Sequence, residues 1–371
     1  MNFLIELGQN YPYIVLFISF AIGFLFMPLV VKIARKYNFV VSPNKRTSHN
    51  GSIPNIGGID IFVSFLLTVF LFSFSRLPST QFILFGFSIV LIVGFVDDLL
   101  DIKALYKLFG EIVGAFFLIV IADIRLSNLN GFLGIYELPL YLSYLISFFA
   151  FIVVVNAINL IDGIDGLASG LGSIYSLFFA IYFQLTHHVS LSTAGYALAG
   201  SLIVFFYYNV VSKRNKIFMG DSGSLLLGYM FYLFIILFCR INSLHDLPDK
   251  YYMNAAPVVA FTVLTVPLFD TLRVMITRIK KGYSPFKADK NHVHHLILKL
   301  GFRHVQVTLI LMGVSLFFIM IALMGRNLPG VILFLIVFAL CVLMTEYLWR
   351  KINQKNAKIE DIQRNSEEKL P

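Results

Sequence analysis

Charge is what this chain of 371 residues has least of: Asp, Glu, Lys and Arg make up 13% of it, against 58% hydrophobic residues that include 39 Phe. That poverty excludes a solvated, disordered chain, which needs low hydropathy and high charge. With a mean hydropathy of +0.83 and recurring apolar runs long enough to span a bilayer, the chain reads as a polytopic membrane protein. Cysteine is nearly missing as well. Cys239 and Cys341 both lie inside apolar runs, which excludes a disulfide framework. The first residues, MNFLIELGQNYPYIV, have no basic n-region and no small-residue cleavage site, so they read as a retained first span. No internal repeat stands out, and no polar segment is large enough for a second globular domain. No G-x-x-x-x-G-K-[ST] motif occurs, so ATP-driven transport has no support.

What is present is a regular alternation of spans and loops. The expected fold class is all-α, with about eleven membrane helices near 11–31, 57–75, 80–96, 106–124, 138–158, 165–185, 192–210, 222–239, 255–276, 305–325 and 329–348. Residues 1–350 form one transmembrane domain, and 351–371 a polar, mixed-charge tail expected to be a frayed helix or disordered. Lys and Arg fall in alternate loops. One side holds 24 of the 29, from Lys32 in the first loop to Lys369 in the tail; the other holds Arg76, Arg125, Arg240, Lys250 and Arg326. The positive-inside rule then puts the N-terminus outside and the C-terminus in the cytoplasm. The net charge of +9 is mostly this topological signal and needs no nucleic-acid partner.

In that topology every unusual polar segment reaches the cytoplasmic face: SPNKRTSHNGSIPNIGG (42–58), VDDLLDIKALYK (96–107), NAINLIDGIDGLASG (156–170), FMGDSGSLLLG (218–228) and the run 270–296 ending in DKNHVHHL. Asp97 and Asp98 are adjacent carboxylates at a helix end, which repel unless a cation or a proton joins them; otherwise they are a pair exposed to water. Asp101 shares their face if the helix continues. Asn156, Asn159, Asp162 and Asp165 recur every three residues, along one side of a helix, with Gly163, Gly166 and Gly170 allowing a ligand near the backbone. Asp221 and Ser222 have the character of helix N-caps, and Asp221 also that of a carboxylate held by a metal. His292, His294 and His295 stand among Arg273, Arg278, Lys280, Lys281, Lys287 and Lys290. With no cysteine beside them, that loop suits phosphate recognition better than zinc. Carboxylates and carboxamides on one wall suit Mg²⁺, with Mn²⁺ as a substitute, and cationic residues on the other suit phosphates. At a membrane boundary, the combination reads as phosphoryl transfer between a soluble diphosphate and a lipid phosphate.

The ordered set VDDLLD, NAINLIDGIDGL, FMGDSGSL and DKNHVHHL, over about residues 30–300, resembles the polyprenyl-phosphate N-acetylhexosamine-1-phosphate transferases. That superfamily includes the GlcNAc-1-phosphate transferases that start lipopolysaccharide O-antigen, enterobacterial common antigen and teichoic acid synthesis, and the phospho-MurNAc-pentapeptide translocase. The resemblance implies transfer of a sugar 1-phosphate from a UDP-sugar to undecaprenyl phosphate, with Mg²⁺ and release of UMP, in a bacterial plasma membrane. It also implies a homodimer. By motif it implies Asp221 and Asn159 as metal ligands, and Asp97 and Asp98 as the acidic pair near the lipid phosphate. Lys107 becomes a phosphate contact, and Asp162, Asp165 and Gly166 line the nucleotide site. His292, His294, His295 and Arg273 contact the donor's phosphates or sugar. Asp101, Arg46 and His49 are candidate neighbours. Which of Asp97 and Asp98 accepts a proton stays open, since a phosphomonoester with a second pKa of about 6 is mostly ionised at cytoplasmic pH. HVHH is similar to the GlcNAc branch; the pentapeptide branch shows three consecutive histidines. The rival from another class is a cation-coupled transporter, against which stands the confinement of every polar cluster to one face. An inactive scaffold is the third reading, and it leaves the four motifs together without a purpose.

Overall fold

The computed structural model describes residues 8, 10–41, 53–73, 79–244, 247–283 and 291–367. The chain is a helical bundle: α1 (Pro12–Lys36), α2 (Gly57–Phe72), α3 (Thr80–Leu100), α4 (Ala104–Phe116), α5 (Leu140–Ile161), α6 (Leu167–Leu185), α7 (Val189–Phe206), α8 (Gly220–Ser243), α9 (Ala256–Val263), α10 (Thr265–Lys280), α11 (Val293–Lys299), α12 (His304–Met324) and α13 (Gly330–Glu367). Single π-turns, Phe117–Ile121 and Tyr207–Val211, extend α4 and α7. Two short antiparallel ribbons complete it: β1 (Val40–Val41) with β2 (Ile53–Pro54), and β3 (Asn128–Phe132) with β4 (Ile135–Glu137).

Among the described residues, nine helices are long and apolar enough to cross a membrane, with the π-turns counted into α4 and α7. The run expected as one span at 255–276 is instead two helices meeting at 83°, α9 and α10. Pro267 explains the break. It sits in the first turn of α10, where it has no N–H for the Val263 carbonyl, and the Thr265 hydroxyl turns back to the Thr262 carbonyl at 2.7 Å. The run at 57–75 forms α2, sixteen residues long and short for a membrane span.

The core is built around α8, which is buried along almost its whole length, whereas the apolar part of α13 is mostly exposed. It packs against α2, α3, α5, α6 and α9. Gly94 shows how close that packing is: a Cβ there would lie 2.6 Å from the Asp221 carbonyl oxygen and the Ser222 amide. Backbone meets backbone where α3 ends and α8 begins, so each helix fixes the position of the other's polar terminus.

Candidate active site

The polar motifs meet at one end of the bundle, where α3 and α5 finish and α4, α6 and α8 start. Asp97 is in the last turn of α3. Its Oδ1 accepts the Ile102 amide at 3.0 Å, and its Oδ2 faces the Lys107 ammonium, from the start of α4, at 3.2 Å. The same ammonium donates to Asp221 Oδ2 on α8. Asn159, near the end of α5, donates from Nδ2 to Asp221 Oδ1 at 3.0 Å and to the Ser224 hydroxyl at 2.8 Å. Three of the sequence motifs, on four helices, thus converge on one cation held by two carboxylates. The cluster is desolvated yet reachable: Asp97 and Lys107 keep 14% of their side-chain surface exposed and Asp221 keeps 30%.

Asp98 points elsewhere. Its carboxylate accepts the backbone N–H of Asp221 at 2.7 Å and of Ser222 at 3.0 Å, and the Asn55 amide at 3.1 Å. The N-cap expected from Asp221 or Ser222 is therefore supplied from another helix, because α8 starts at Gly220 and puts both residues inside its first turn. Gly220 has φ +72°, and a Cβ there would lie 2.5 Å from Asp98 Oδ2. A side chain at 220 would evict the cap. Asp101 does not share the face of Asp97, since α3 stops at Leu100 and Asp101 turns left-handed with φ 48°.

The segment 156–166 is not one continuous helix face either. α5 ends at Ile161, so only Asn156 and Asn159 keep the helical spacing. Asn156 donates to Glu111 of α4 at 2.8 Å. Asp162 is the first residue past α5 and accepts no hydrogen bond from a described residue. Burial, and then the charges of Asp221, Asp98 and Asp165, push its carboxyl well above the usual range. Asp165 moves the other way. Burial alone would raise it, but the neighbouring His304 ring, at 3.8 Å, and the Lys216 ammonium, hydrogen-bonded at 2.7 Å, outweigh burial and hold it below its ordinary value. Gly166 caps α6 with φ +79°, its amide donating to Asn209 Oδ1 at 2.6 Å.

The histidine loop is organised by Asp270 of α10. One of its oxygens pairs with His292 Nδ1 at 2.9 Å, and the other accepts the Val293 amide and Arg273, both at 2.9 Å. Arg273 also donates to the Asn291 carbonyl, while its Nε and other terminal nitrogen are buried without a partner among the described residues. His294 is buried, its Nε2 against Gly163 of the α5–α6 turn, and the His295 ring lies tilted against it at 4.2 Å between ring centres. Burial lowers the His294 pKa to about 3, so the ring is neutral. The α5–α6 turn therefore joins the two halves of the site, Asn159 reaching Asp221 and Gly163 touching His294. Arg46, His49, Lys287 and Lys290 lie outside the described residues.

The sequence of this end of the bundle is shared with known proteins. Glycosyl transferase family 4 matches residues 80–239. An undecaprenyl-phosphate alpha-N-acetylglucosaminyl 1-phosphate transferase of Yersinia pestis is 30% identical over 340 residues, covering 89% of this chain and 90% of its own. Proteins of the same description from Haemophilus influenzae and Pasteurella multocida are 31% and 33% identical, over 90% and 80% of this chain and 94% and 81% of theirs. The chain belongs to glycosyl transferase family 4. Within this family-4 chain several polar groups of the site were not apparent from sequence. Asp270 is the clearest, and its signal was an acidic residue three before Arg273 at a span end. Glu111, four residues past Lys107 in an apolar run, carried the general signal of an ionisable group at membrane depth. Asn209 and Lys216 carried none, because only the fold sets them beside Gly166 and Asp165.

Proposed function

We propose that this protein transfers GlcNAc 1-phosphate from UDP-GlcNAc to undecaprenyl phosphate, releasing UMP, at the cytoplasmic face of a bacterial plasma membrane. The observation that carries the reading is the convergence of Asp97, Lys107, Asn159 and Asp221 from four helices on one charged point at the bundle end. The names of the relatives supply the acceptor and the sugar. The basic residues gathered at the same end support its cytoplasmic orientation: Arg35 of α1 reaches the Arg214 carbonyl at 2.7 Å, and Lys216 lies beside Asp165.

The donor set suits Mg²⁺. Two carboxylates, Asp97 and Asp221, already share a cation, and the amide nitrogen of Asn159 is committed to Asp221 and Ser224, which leaves its carbonyl oxygen to offer. Hard oxygen donors of this kind suit an ion that fills its remaining positions with phosphate and water. Mg²⁺ held by Asp221 and Asn159 would neutralise the donor's diphosphate. Lys107 then pairs with the lipid phosphate, one of whose oxygens attacks the sugar-linked phosphorus as the bond to UMP breaks. Asp98 holds α8 in place. The unpaired Arg273 nitrogens and His294 Nε2, buried without a partner among the described residues, would bind the donor's phosphates or sugar.

The test is direct. Purified protein, undecaprenyl phosphate and Mg²⁺ are offered UDP-sugars one at a time, with UMP and the lipid product read by mass spectrometry. Product from UDP-GlcNAc, abolished by EDTA and restored by Mg²⁺, is the expected result. Turnover with UDP-MurNAc-pentapeptide alone, or none with any donor, overturns it.

A further inference from the structure

The C-terminal helix does not stop at the membrane. α13 runs from Gly330 to Glu367, 38 residues, or about 57 Å at 1.5 Å per residue, nearly twice the thickness of a bilayer core. Its inward side is a single stripe: Leu333, Val337, Cys341, Leu348, Ile352 and Lys355 follow each other at steps of three, four or seven. The first four belong to the apolar span. Ile352 and Lys355 lie beyond it, in the polar run that starts with Arg350, where a helix without a partner has no reason to keep an inward side. Yet Ile352 is 5% exposed while Lys351, Asn353 and Gln354 are open to solvent.

What the extension packs against is α11, the short helix that carries His294 and His295 and begins after His292. A cavity of about 300 Å³ is lined by Met344 and Leu348 of α13 on one side and by Val293, Ile297 and Leu300 on the other. Past that cavity the contact becomes polar. A helix of seven residues leaves its last carbonyls without helical partners. The Leu300 amide takes the Ile297 carbonyl and the Gly301 amide takes the Leu298 carbonyl, at 3.0 and 2.9 Å. The Lys299 carbonyl is taken by Lys355 Nζ at 2.9 Å. An ammonium at this end also complements the helix dipole.

We propose that Ile352 and Lys355 are positioning residues: the C-terminal extension braces α11 from behind and so holds the histidine motif against the α5–α6 turn. The inference rests on the function proposed above for its kinetic readout, and not for its structural one. A seven-residue helix has little stability of its own, so the register of His294 against Gly163 depends on what supports the helix from outside the site. Loss of the brace weakens binding of the soluble donor, which the histidine loop faces. The lipid acceptor, which the proposed function pairs with Lys107 and not with the histidine loop, is untouched.

The experiment compares wild-type protein with K355A, K355R and a chain ended after Lys351. Loss of one charged hydrogen bond predicts about a fivefold rise in donor KM for K355A, more for the shortened chain, with kcat and acceptor KM within twofold of wild type. K355R, which keeps a donor at that place, recovers most of the affinity. Amide exchange of residues 296–301 speeds up in K355A and in the shortened chain, a readout that needs no turnover. Unchanged donor KM with unchanged exchange overturns the proposal. So does an equal rise of donor and acceptor KM with a lowered melting temperature, which marks general destabilisation. Where the wild type makes no product from any UDP-sugar, the functional reading fails and the exchange rates alone decide the brace.

Discussion

Replacing Asp98 with alanine separates structure from chemistry in the acidic pair. The Asp98 carboxylate accepts three hydrogen bonds, from the Asp221 and Ser222 amides and from Asn55, at 2.7 to 3.1 Å. Two of those donors are the orphan N–H groups at the start of α8, the most buried helix of the bundle. Removing a side-chain cap costs about 0.5–2 kcal/mol, and each buried amide left unpaired costs about 1–3 kcal/mol. Partial access of water puts D98A near the low end of their sum, about 3 kcal/mol, and shifts the Asp221 carboxylate with it. Asp97 makes no such cap. Its partners are Lys107 and one loop amide, so D97A costs about 1 kcal/mol of stability. It also leaves Lys107 with Asp221 alone. The assay is a thermal melt of purified protein in detergent beside UMP release. D98A is expected to lower the midpoint by several degrees and activity with it; D97A is expected to lose activity with a midpoint close to wild type. D98A as stable as wild type but inactive would refute the cap, and would return Asp98 to the chemistry.

Three further outcomes follow from the same geometry. G94A sets a Cβ 2.6 Å from the backbone of Asp221 and Ser222 and should destabilise by about 2 kcal/mol or more, while G313A, with nothing within 4 Å of its Cβ, should be neutral in the same melt. Asp165 has a depressed pKa, so its pairing stabilises the fold above its ordinary value of 3.8 and the contribution fades as pH falls through the lower folded value; D165N should therefore melt below wild type at pH 7 and converge with it at acid pH. His294 is neutral when folded, its pKa lowered from 6.5 to about 3, so stability is full above pH 6.5 and drains away as pH falls from 6.5 towards 3; H294N should flatten that part of a melting-temperature profile.

Local pattern was enough for the helices and for which residues carry charge into the membrane boundary, since a span needs only a long apolar run and a polar end. The positions of Asp97, Lys107, Asn159 and Asp221 were legible as motifs for that reason. Their partners were not. Asp98 looks like the twin of Asp97 in sequence; its role as the cap of α8 follows from a contact between residues 123 apart. Asp162 and Asp165 look like a continued helix face until α5 is seen to end at Ile161. The bend between α9 and α10 depends on where Pro267 falls in the helix, and the inward side of Ile352 and Lys355 on what lies behind α11.

By itself, then, the order of apolar and polar residues determined a helical membrane protein with its charges gathered at one end, because hydropathy and the cost of buried charge act on each segment independently. Only the tertiary structure decided which carboxylate faces a cation, which caps a helix and which is neutralised by a lysine. Those fates depend on atoms brought within 3 Å of each other from distant parts of the chain, and no spacing along the sequence encodes that distance.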